Sequence, residues 1–520
     1  MVSEFHGRGD AIVSPHVLST QAGMEIFARG GNAVDAAIAA NAVQGVVAPE
    51  TCGIGGDLFA LVATGDGPPD ALNASGPAGS GADAETLRRA GHTVMPSRHP
   101  AAVTVPGCVA GWRALWERHG SSAWPDLFAP AIRHAGNGFP ASDELVRTVT
   151  ALEAVLRPQP SAEELYPGGS VPALGDTVTR PSLGATLQAV ADEGPAGFYE
   201  GRPAAAIVEA LGGTVTAADL AAFRPEWVDP LGRNLWGLEA WTVPPNSQGY
   251  LTPATLGVYD RVAPDLDPDD PRSIHLLVES FRSVAWDAPD VVADPPPIEP
   301  SLLLSDERLA ERAASIDPER AVPRPPRNIQ PGGTAYLCTV DRRGMAVSLI
   351  QSNYMGIGST IGAGDAGFLL HNRGAGFDLR PGHPNELRPG RRPYHTLSPT
   401  LWTRDGLPAA VLGTRGGRHQ PEILSQVALR LFGMAEQPAS ALAAPRWVTG
   451  DPGVEESHLV VEASMAPSAR AALTGMGHRL EVAEPSMPGW GPVSVITISN
   501  SGLRTAAADA RVATSAAAIA

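Results

Sequence analysis

The strongest constraint on the fold of this 520-residue chain is a segment rich in proline and glycine, residues 322–333. It reads Val-Pro-Arg-Pro-Pro-Arg-Asn-Ile-Gln-Pro-Gly-Gly. Such a segment holds neither a helix nor a central strand, because proline lacks the backbone donor and glycine adds entropy to the unfolded chain. The sequence therefore predicts an exposed loop that ends immediately before Thr334.

Two strand-like stretches follow this loop directly. Residues 334–341 and 345–352 are rich in apolar and β-branched side chains, and Arg342-Arg343-Gly344 between them is typical of a turn. The pattern predicts a β-hairpin that begins at Thr334. A threonine that opens a strand is ordinarily explained by its β-propensity, so its position alone does not indicate catalysis.

The first sixty residues predict two helices and a glycine turn. Residues 17–28 carry apolar side chains at helical spacing, and Asn32 can cap a second helix over residues 33–46. The second helix consists mostly of alanine and valine, so we expect it to be buried on most sides. The turn at residues 53–57 leads into a strand at residues 58–62.

Composition excludes several kinds of chemistry. The sequence contains no lysine, so all 38 basic residues are arginine. This excludes a Schiff-base lysine, the lysine of a P-loop or of a protein kinase, and a Ser–Lys dyad. With 55 acidic residues the net charge is −17, which argues against nucleic acid or an anionic membrane as a partner.

The cysteines and the apolar runs indicate the compartment. Cys52, Cys108 and Cys338 are odd in number and form no C-x-x-C pair, which fits a reducing compartment. The first ten residues lack the apolar core of a signal peptide, and no apolar run is long enough to span a membrane. We therefore expect a soluble, cytoplasmic protein.

Familiar motifs for cofactors and metals give no support. The sequence has no G-x-S-x-G, H-E-x-x-H or paired C-x-x-C pattern. Gly362–Gly367 matches G-x-G-x-x-G, but it precedes a strand-like run at 368–370 where a dinucleotide site needs a helix. Four histidines lie within some fifty residues without metal-ligand spacing: His371, His383, His395 and His419. We expect neither a metal nor an organic cofactor.

Chemistry gives Thr334 a second interpretation. If the Thr334 hydroxyl attacked the Gly333 carbonyl, the resulting ester would hydrolyse and leave a free α-amino group on Thr334. An α-amino group has a pKa of about 7.7–8.0, so it can accept the proton of the adjacent hydroxyl near neutral pH. Gly333 offers the attack the least obstruction.

A series of short motifs runs in order along the chain. They are Gly30–Ala37, Gly53–Asp57, Val105–Gly107, Gly197–Gly201, Pro244–Gly249, Ile274–Glu279, Pro445–Trp447 and Asp509–Arg511. In this order they resemble the gamma-glutamyltransferase family, whose members are N-terminal-nucleophile hydrolases that cleave themselves ahead of a threonine. The resemblance covers nearly the whole chain.

The resemblance implies an α+β fold, a four-layer αββα sandwich of the N-terminal-nucleophile hydrolase type. It places the cleavage site between Gly333 and Thr334. The products would be an α chain of residues 1–333 and a β chain of residues 334–520, which stay associated as one structural unit.

The same resemblance assigns catalytic residues. Thr334 matches the nucleophile, and Ser352 matches a second hydroxyl residue that assists it from the next strand. Gly416 and Gly417 match the glycine pair whose backbone N–H groups form the oxyanion hole. Taken alone, the glycine pair indicates a turn. Two backbone N–H groups held in place fit an oxyanion hole, however, because glycine lets the substrate come close to them.

The sequence departs from the family where glutathione-using members bind the charged γ-glutamyl head group. The arginine of their R-E-x-A-P stretch is replaced by the uncharged segment 73–78, and the aspartate before a phenylalanine is replaced by Gly376. The paired serines become His395 and Thr396. Both charged anchors for a γ-glutamyl group are therefore missing.

Arg373 adds a cation beside these positions. It is either a structural ion pair or a carboxylate clamp, since arginine binds carboxylates through two parallel hydrogen bonds. We predict that Arg373, with His395 and Thr396, binds the substrate. The pattern resembles the unsecreted branch of the family, which includes oxamate amidohydrolases and cephalosporin acylases.

The sequence therefore predicts a self-processing amidohydrolase or acylase that acts on a small amide carrying a carboxylate. Two alternatives stay open: a gamma-glutamyltransferase or glutathione hydrolase with rearranged anchors, and a catalytically silent relative that binds a metabolite. The expected partners are the small amide substrate, the chain's own two halves and, as a possibility, further copies of the chain.

Overall fold

A computed structural model describes residues 3–65, 67–263, 267–322, 333–450, 457–484 and 490–520. The loop predicted at residues 322–333 lies outside the described residues except for its two end positions. Within the described ranges, no helix has the length and apolar character needed to cross a membrane.

The strands are short, and most belong to two large sheets. They are β1 (Ser3–Gly7), β2 (Ala11–Ser14), β3 (Asp57–Ala63), β4 (Asp70–Ala74), β5 (Phe139–Pro140), β6 (Thr177–Val178), β7 (Glu226–Val228), β8 (Leu231–Leu235), β9 (Leu238–Thr242), β10 (Gly333–Val340), β11 (Ala346–Tyr354), β12 (Thr400–Arg404), β13 (Leu407–Thr414), β14 (Trp447–Thr449), β15 (His458–Glu462), β16 (Arg479–Ala483), β17 (Val493–Ile498), β18 (Arg504–Ala508) and β19 (Ala516–Ile519).

Helices lie mainly between these strands in the first 320 residues. They are α1 (Val17–Ala28), α2 (Ala33–Val47), α3 (Ala84–Arg89), α4 (Cys108–His119), α5 (Ala129–Asn137), α6 (Asp143–Ala151), α7 (Glu153–Leu156), α8 (Pro181–Glu193), α9 (Ala196–Tyr199), α10 (Gly201–Leu211), α11 (Ala217–Ala222), α12 (Leu251–Val262), α13 (Pro271–Ala285), α14 (Ala288–Val291), α15 (Asp306–Ala314), α16 (Gln420–Ala428), α17 (Pro438–Ala443) and α18 (Pro467–Gly475).

The two large sheets pack face to face. Sheet I has the strand order β19-β2-β10-β11-β3-β4-β7, and sheet II has the order β1-β18-β17-β13-β12-β9-β8. Apolar side chains from both sheets fill the space between them, such as Phe59 and Tyr336 from sheet I and Leu401 and Ile496 from sheet II. This inner core fixes the spacing of the two sheets.

Helices cover the outer face of each sheet. Helices α1, α2, α4, α5 and α8 share one apolar core with sheet I, while α12, α13 and α16 share another with sheet II. The result is the four-layer αββα sandwich that the sequence predicts.

The local predictions at the N-terminus are confirmed. Helix α1 covers Val17–Ala28, and α2 begins at Ala33 with Asn32 as its cap. The Asn32 side chain accepts a hydrogen bond from the Asp35 N–H, and the Asp35 carboxylate accepts one from the Asn32 N–H. This capping box satisfies two otherwise unpaired donors at the helix start.

The hairpin is confirmed as well, and it occupies the centre of sheet I. Strands β10 and β11 pair antiparallel, with the predicted turn between them. In contrast, the strand expected at 368–370 is wrong: only an isolated bridge between Gly362 and Leu369 pairs there, around a turn.

Both sheets contain strands from either side of the predicted cleavage site. In sheet I, β10 from the predicted β chain lies between β2 from the α chain and its own partner β11. On the other side, β11 pairs with β3 of the α chain. Two chains joined by such ladders would remain one body after cleavage, which is consistent with the predicted division.

The last two sequence motifs meet in a buried ion network. The Arg446 Nη2 donates to Asp509 Oδ2 at 2.5 Å, and Arg511 pairs with Glu462 and with Asp509 Oδ1. All four side chains are nearly or fully buried. The network ties the C-terminal strands to the segment before β14.

Replacing Arg446 with methionine should lower the free energy of unfolding by about 3 kcal/mol, because it removes one partner of a buried ion pair. Urea unfolding followed by circular dichroism measures the effect. The control Arg147→Met removes an exposed pair with Asp143, and it should change the free energy by less than about 1 kcal/mol. Equal effects of the two substitutions would contradict this interpretation of the network.

Candidate active site

Thr334 is the second residue of β10 and is 1% exposed. The ladder pairs Gly333 with Tyr354 and Ala335 with Gln351, so the register is irregular at Thr334. Such irregularities redirect a side chain locally. The structure thus sets the predicted nucleophile at a break in the register in the middle of sheet I.

Two polar side chains contact the Thr334 hydroxyl. The Thr334 Oγ1 lies 3.3 Å from Ser352 Oγ, to which it donates, and Gln420 Nε2 donates to Thr334 Oγ1 at 3.4 Å. Ser352 Oγ also accepts a hydrogen bond from the Tyr354 N–H at 2.7 Å. The predicted pair of hydroxyl residues is therefore brought together, and Gln420 is a contact that the sequence did not indicate.

The glycine pair lies between the end of β13 and the start of α16. Gly416 has φ of 127° and Gly417 has φ of 57°, a region of backbone conformation that favours glycine. Gln420, the first residue of α16, contacts both Thr334 and the Ser398 N–H. The loop thus adjoins the nucleophile, as an oxyanion hole requires, and its donor role stays a prediction.

Gln248 fixes this glycine loop and was missed by the sequence analysis. Its Nε2 donates to the carbonyl oxygens of Gly417 and Thr396, both at 3.1 Å. Its Oε1 accepts from the Tyr394 hydroxyl at 2.7 Å. One buried amide therefore joins the predicted oxyanion loop to the predicted substrate-binding segment, and only its place in the 244–249 motif signals this.

Arg373 is buried, with 1% of its surface exposed. Its Nη1 donates to Thr396 Oγ1 at 3.0 Å, and its guanidinium lies 3.3 Å from the ring centroid of Tyr354. Among the described residues, its Nε and Nη2 have no hydrogen-bond partner. Burial lowers the pKa of Arg373, an effect that Tyr354 and Asp57 oppose.

The unpaired edge of Arg373 faces Gly376. A Cβ at position 376 would lie 3.0 Å from Arg373 Nη2 and 2.5 Å from the Tyr394 carbonyl oxygen. A side chain at this position is therefore excluded by the backbone of Tyr394. Where the family resemblance implies a carboxylate, this site has a guanidinium edge with two parallel donors.

His395 has partners of its own inside the protein. Its Nε2 lies 3.1 Å from Asp57 Oδ2, and its Nδ1 accepts from the Leu397 N–H at 3.3 Å. Its ring also packs edge-on against Phe59. Both nitrogens are thus used, so this arrangement does not provide the substrate contact predicted for His395, whereas Thr396 contacts Arg373 directly.

The segment that replaces the family's arginine carries no charged side chain of its own, although its Ser75 carbonyl oxygen accepts a hydrogen bond from Arg392 Nε at 2.9 Å. Asn73 Nδ2 donates to Asn246 Oδ1 at 2.9 Å, and Ser75 Oγ donates to Asn73 Oδ1 at 2.7 Å. These side chains are buried. No cationic side chain takes the arginine's place among residues 73–78.

The chain is similar to known proteins over almost its whole length. The family model for gamma-glutamyltranspeptidase matches residues 19–519. The glutathione hydrolase-like YwrD proenzyme of Bacillus subtilis is 34% identical over 514 residues, which cover 97% of each chain. The oxamate amidohydrolase proenzyme of Klebsiella pneumoniae is also 34% identical over 514 residues, which cover 96% of each chain.

A solved structure is similar over almost the whole length. The crystal structure of cephalosporin acylase from Bacillus halodurans superposes with a TM-score of 0.92 at 30% identity. The match covers 99% of this chain and 96% of the acylase. The sequence matches and the fold therefore indicate the same family.

Proposed function

Since the chain belongs to the gamma-glutamyltranspeptidase family, we propose that it is a self-processing N-terminal-threonine amidohydrolase or acylase. Its relatives include glutathione hydrolases and an amidohydrolase, all acting on C–N bonds. The proenzyme names of these relatives support cleavage of the chain into two associated parts.

The unpaired donor edge of Arg373 carries the substrate part of this proposal. Two buried parallel N–H donors that have no partner in the described part of the chain match the two oxygens of a carboxylate. A buried cation without its counter-ion is costly, so a bound carboxylate gains from occupying that edge. The proposed substrate is therefore an amide that carries a carboxylate.

The sheet register supports a position for this carboxylate on the acyl side of the scissile amide. During self-cleavage, Gly333 supplies the carbonyl group that Thr334 attacks, and Gly333 lies opposite Tyr354 in the ladder. The guanidinium of Arg373 rests on the Tyr354 ring. An acyl group that takes the place of Gly333 extends toward Arg373, so monoamides of dicarboxylic acids fit best.

The proposed reaction has two steps. The Thr334 amine accepts the hydroxyl proton while Oγ1 attacks the amide carbon, and the same proton passes to the leaving amine as the C–N bond breaks. Water then attacks the ester and regenerates Thr334. The N–H groups of Gly416 and Gly417 stabilise the oxyanion in each step, and Ser352 orients Oγ1.

Gamma-glutamyl transfer is the second candidate, because several relatives are named glutathione hydrolases. A γ-glutamyl group carries an α-ammonium, which a guanidinium beside Gly376 would repel. A silent, metabolite-binding relative is the third candidate.

Three chromogenic anilides distinguish these candidates. Purified protein is given glutaryl, butyryl and γ-glutamyl p-nitroanilide, and release of p-nitroaniline is followed. We expect kcat/KM to be highest for the glutaryl compound. A preference for the γ-glutamyl compound would favour transferase or glutathione hydrolase activity, and no turnover of any amide would favour the silent relative.

Replacing Gln248 with alanine should lower kcat for the glutaryl anilide about tenfold. The Gly417 carbonyl oxygen then loses the hydrogen-bond donor that fixes the oxyanion loop. Steady-state kinetics measure this. The control Gln188→Ala lies on the exposed face of α8 and should behave like the wild type. A normal kcat in Gln248→Ala would contradict the assigned role.

A further inference from the structure

We propose that Asp57, together with His371 and His395, sets the charge of the acyl-binding site. One proton shared between Asp57 and His371 keeps the three side chains neutral as a group, which leaves the Arg373 cation uncompensated for a substrate carboxylate. Loss of the shared proton weakens recognition of that carboxylate. The inference rests on the proposed function and adds a specificity-determining group to it.

Asp57 lies opposite Ser352, the residue that contacts the Thr334 hydroxyl, in sheet I. It begins β3 and is paired directly with Ser352 of β11. Its side chain is fully buried. The Asp57 Oδ2 lies 3.1 Å from His395 Nε2 and 3.6 Å from His371 Nδ1, so two imidazole rings meet one carboxyl oxygen.

The hydrogen bonds of the two histidines define their neutral tautomers. His395 Nδ1 accepts from the Leu397 N–H, so the ring proton is on Nε2 and points at Asp57. His371 Nε2 lies 2.9 Å from the Thr104 carbonyl oxygen, so its proton is on Nε2 and its Nδ1 carries a lone pair.

That lone pair faces a carboxyl oxygen. His371 Nδ1 is buried and has no hydrogen-bond partner among the described residues. Two acceptors facing each other at 3.6 Å repel, unless one of them carries a proton. A proton on either Asp57 Oδ2 or His371 Nδ1 removes the repulsion, and in both cases the net charge of the three side chains is zero.

The cluster adjoins Arg373 through two chain segments. His371 lies two residues before Arg373, and His395 directly precedes Thr396, whose hydroxyl accepts from Arg373. Arg373 interacts electrostatically with Asp57 and with both histidines. A negative charge on Asp57 would therefore offset the charge of Arg373.

The groups around Asp57 favour the neutral state. Burial raises the pKa of Asp57 to about 8, although hydrogen bonds from the Gly76 and Gly107 N–H groups and the charges of Arg373 and Arg392 lower it. Burial lowers the pKa of His371 to about 4 and that of His395 well below its usual value. Two further titratable groups, Cys108 and Tyr199, interact electrostatically with Asp57. Burial raises the pKa of each of these two groups.

The direction of the pH effect follows from these groups. Below about pH 8, Asp57 is protonated, the cluster is neutral and Arg373 attracts the substrate carboxylate. Above that pH, Asp57 becomes negative, and the attraction weakens. The histidines are neutral throughout this range, so they add no opposing change.

The test compares two substrates over pH 6–10. Glutaryl and butyryl p-nitroanilide differ only in the terminal carboxylate, which stays ionised over this range. Titration of the Thr334 amine affects both equally, so the ratio of their kcat/KM values isolates the charge of the acyl site. We expect the ratio to fall about tenfold between pH 7 and pH 10, through KM of the glutaryl compound.

Variants identify the group that titrates. In Asp57→Asn, which keeps hydrogen-bonding capacity without the charge, the ratio should no longer depend on pH. Burial also raises the pKa of Glu50 to about 8, so Glu50→Gln is the control, and it should keep the alkaline fall. The wild-type comparison stands even if Asp57→Asn does not fold.

Four outcomes count against the inference. A wild-type preference for glutaryl anilide that is constant over pH 6–10 overturns it and leaves the proposed function intact. A pH dependence that persists in Asp57→Asn or disappears in Glu50→Gln also overturns it. No preference at any pH contradicts the proposed function and, with it, this inference.

Discussion

Replacing Thr334 with alanine should leave the chain in one piece and abolish amide hydrolysis. Alanine has no hydroxyl to attack the Gly333 carbonyl, so the ester that precedes cleavage cannot form. Without cleavage, the nitrogen of residue 334 stays a peptide nitrogen and cannot act as a base. Denaturing electrophoresis should show one band of 53.9 kDa for the variant and two smaller bands for the wild type.

Two further variants control this experiment. Thr334→Ser keeps a hydroxyl and should still cleave itself, more slowly. Thr339→Ala removes a buried hydroxyl from the same strand, where it donates to the Ala33 carbonyl oxygen, and should cleave normally. Two bands in Thr334→Ala, or loss of cleavage in Thr339→Ala as well, would contradict the role of Thr334.

Replacing Arg373 with leucine should lower kcat/KM for glutaryl p-nitroanilide about a hundredfold, because the substrate carboxylate loses two hydrogen bonds to a buried cation. The butyryl compound has no carboxylate, so its kcat/KM should fall little. Steady-state kinetics with both substrates measure the effect as a change in the ratio of their kcat/KM values.

Arg373→Lys is the matched variant for geometry. Lysine keeps the charge but offers no fork of parallel donors, so it should recover only part of the preference. If Arg373→Leu lowered kcat/KM equally for both substrates, its role would be structural, through the contacts with Tyr354 and Thr396.

Local features of the chain were readable from its sequence. Helix α2 has its cap at Asn32, and the hairpin β10–β11 follows the proline-rich segment, because capping and turn residues act over a few positions. The position of Thr334 at a strand start needs no more than this local information. The layers of the sandwich followed from the family resemblance.

Long-range contacts in the site were not readable. Gln248 reaches Gly417 across 169 positions, and Asp57 reaches His395 across 338. No periodicity or spacing reports such contacts, since they depend on how the two sheets pack. The same holds for His395, which was predicted to bind the substrate and whose ring lies in hydrogen-bond contact with Asp57.

The role of Arg373 lies between these cases. Its charge and its place three residues before Gly376, where the family's aspartate is missing, were visible in the sequence and indicated a carboxylate clamp. The structure supports the clamp through the Nε and Nη2 atoms of Arg373, which face Gly376 and have no partner among the described residues. The Tyr394 carbonyl oxygen excludes a side chain at position 376, and this long-range contact was not visible in the sequence.

Sequencing the N-terminus of the smaller chain tests the central claim most directly. Freshly expressed wild-type protein is separated under denaturing conditions, and its smaller band is sequenced. The proposal predicts a chain that begins Thr-Ala-Tyr-Leu, the sequence from Thr334 onward. A protein that stays intact, or a smaller chain that begins at any other residue, would contradict it.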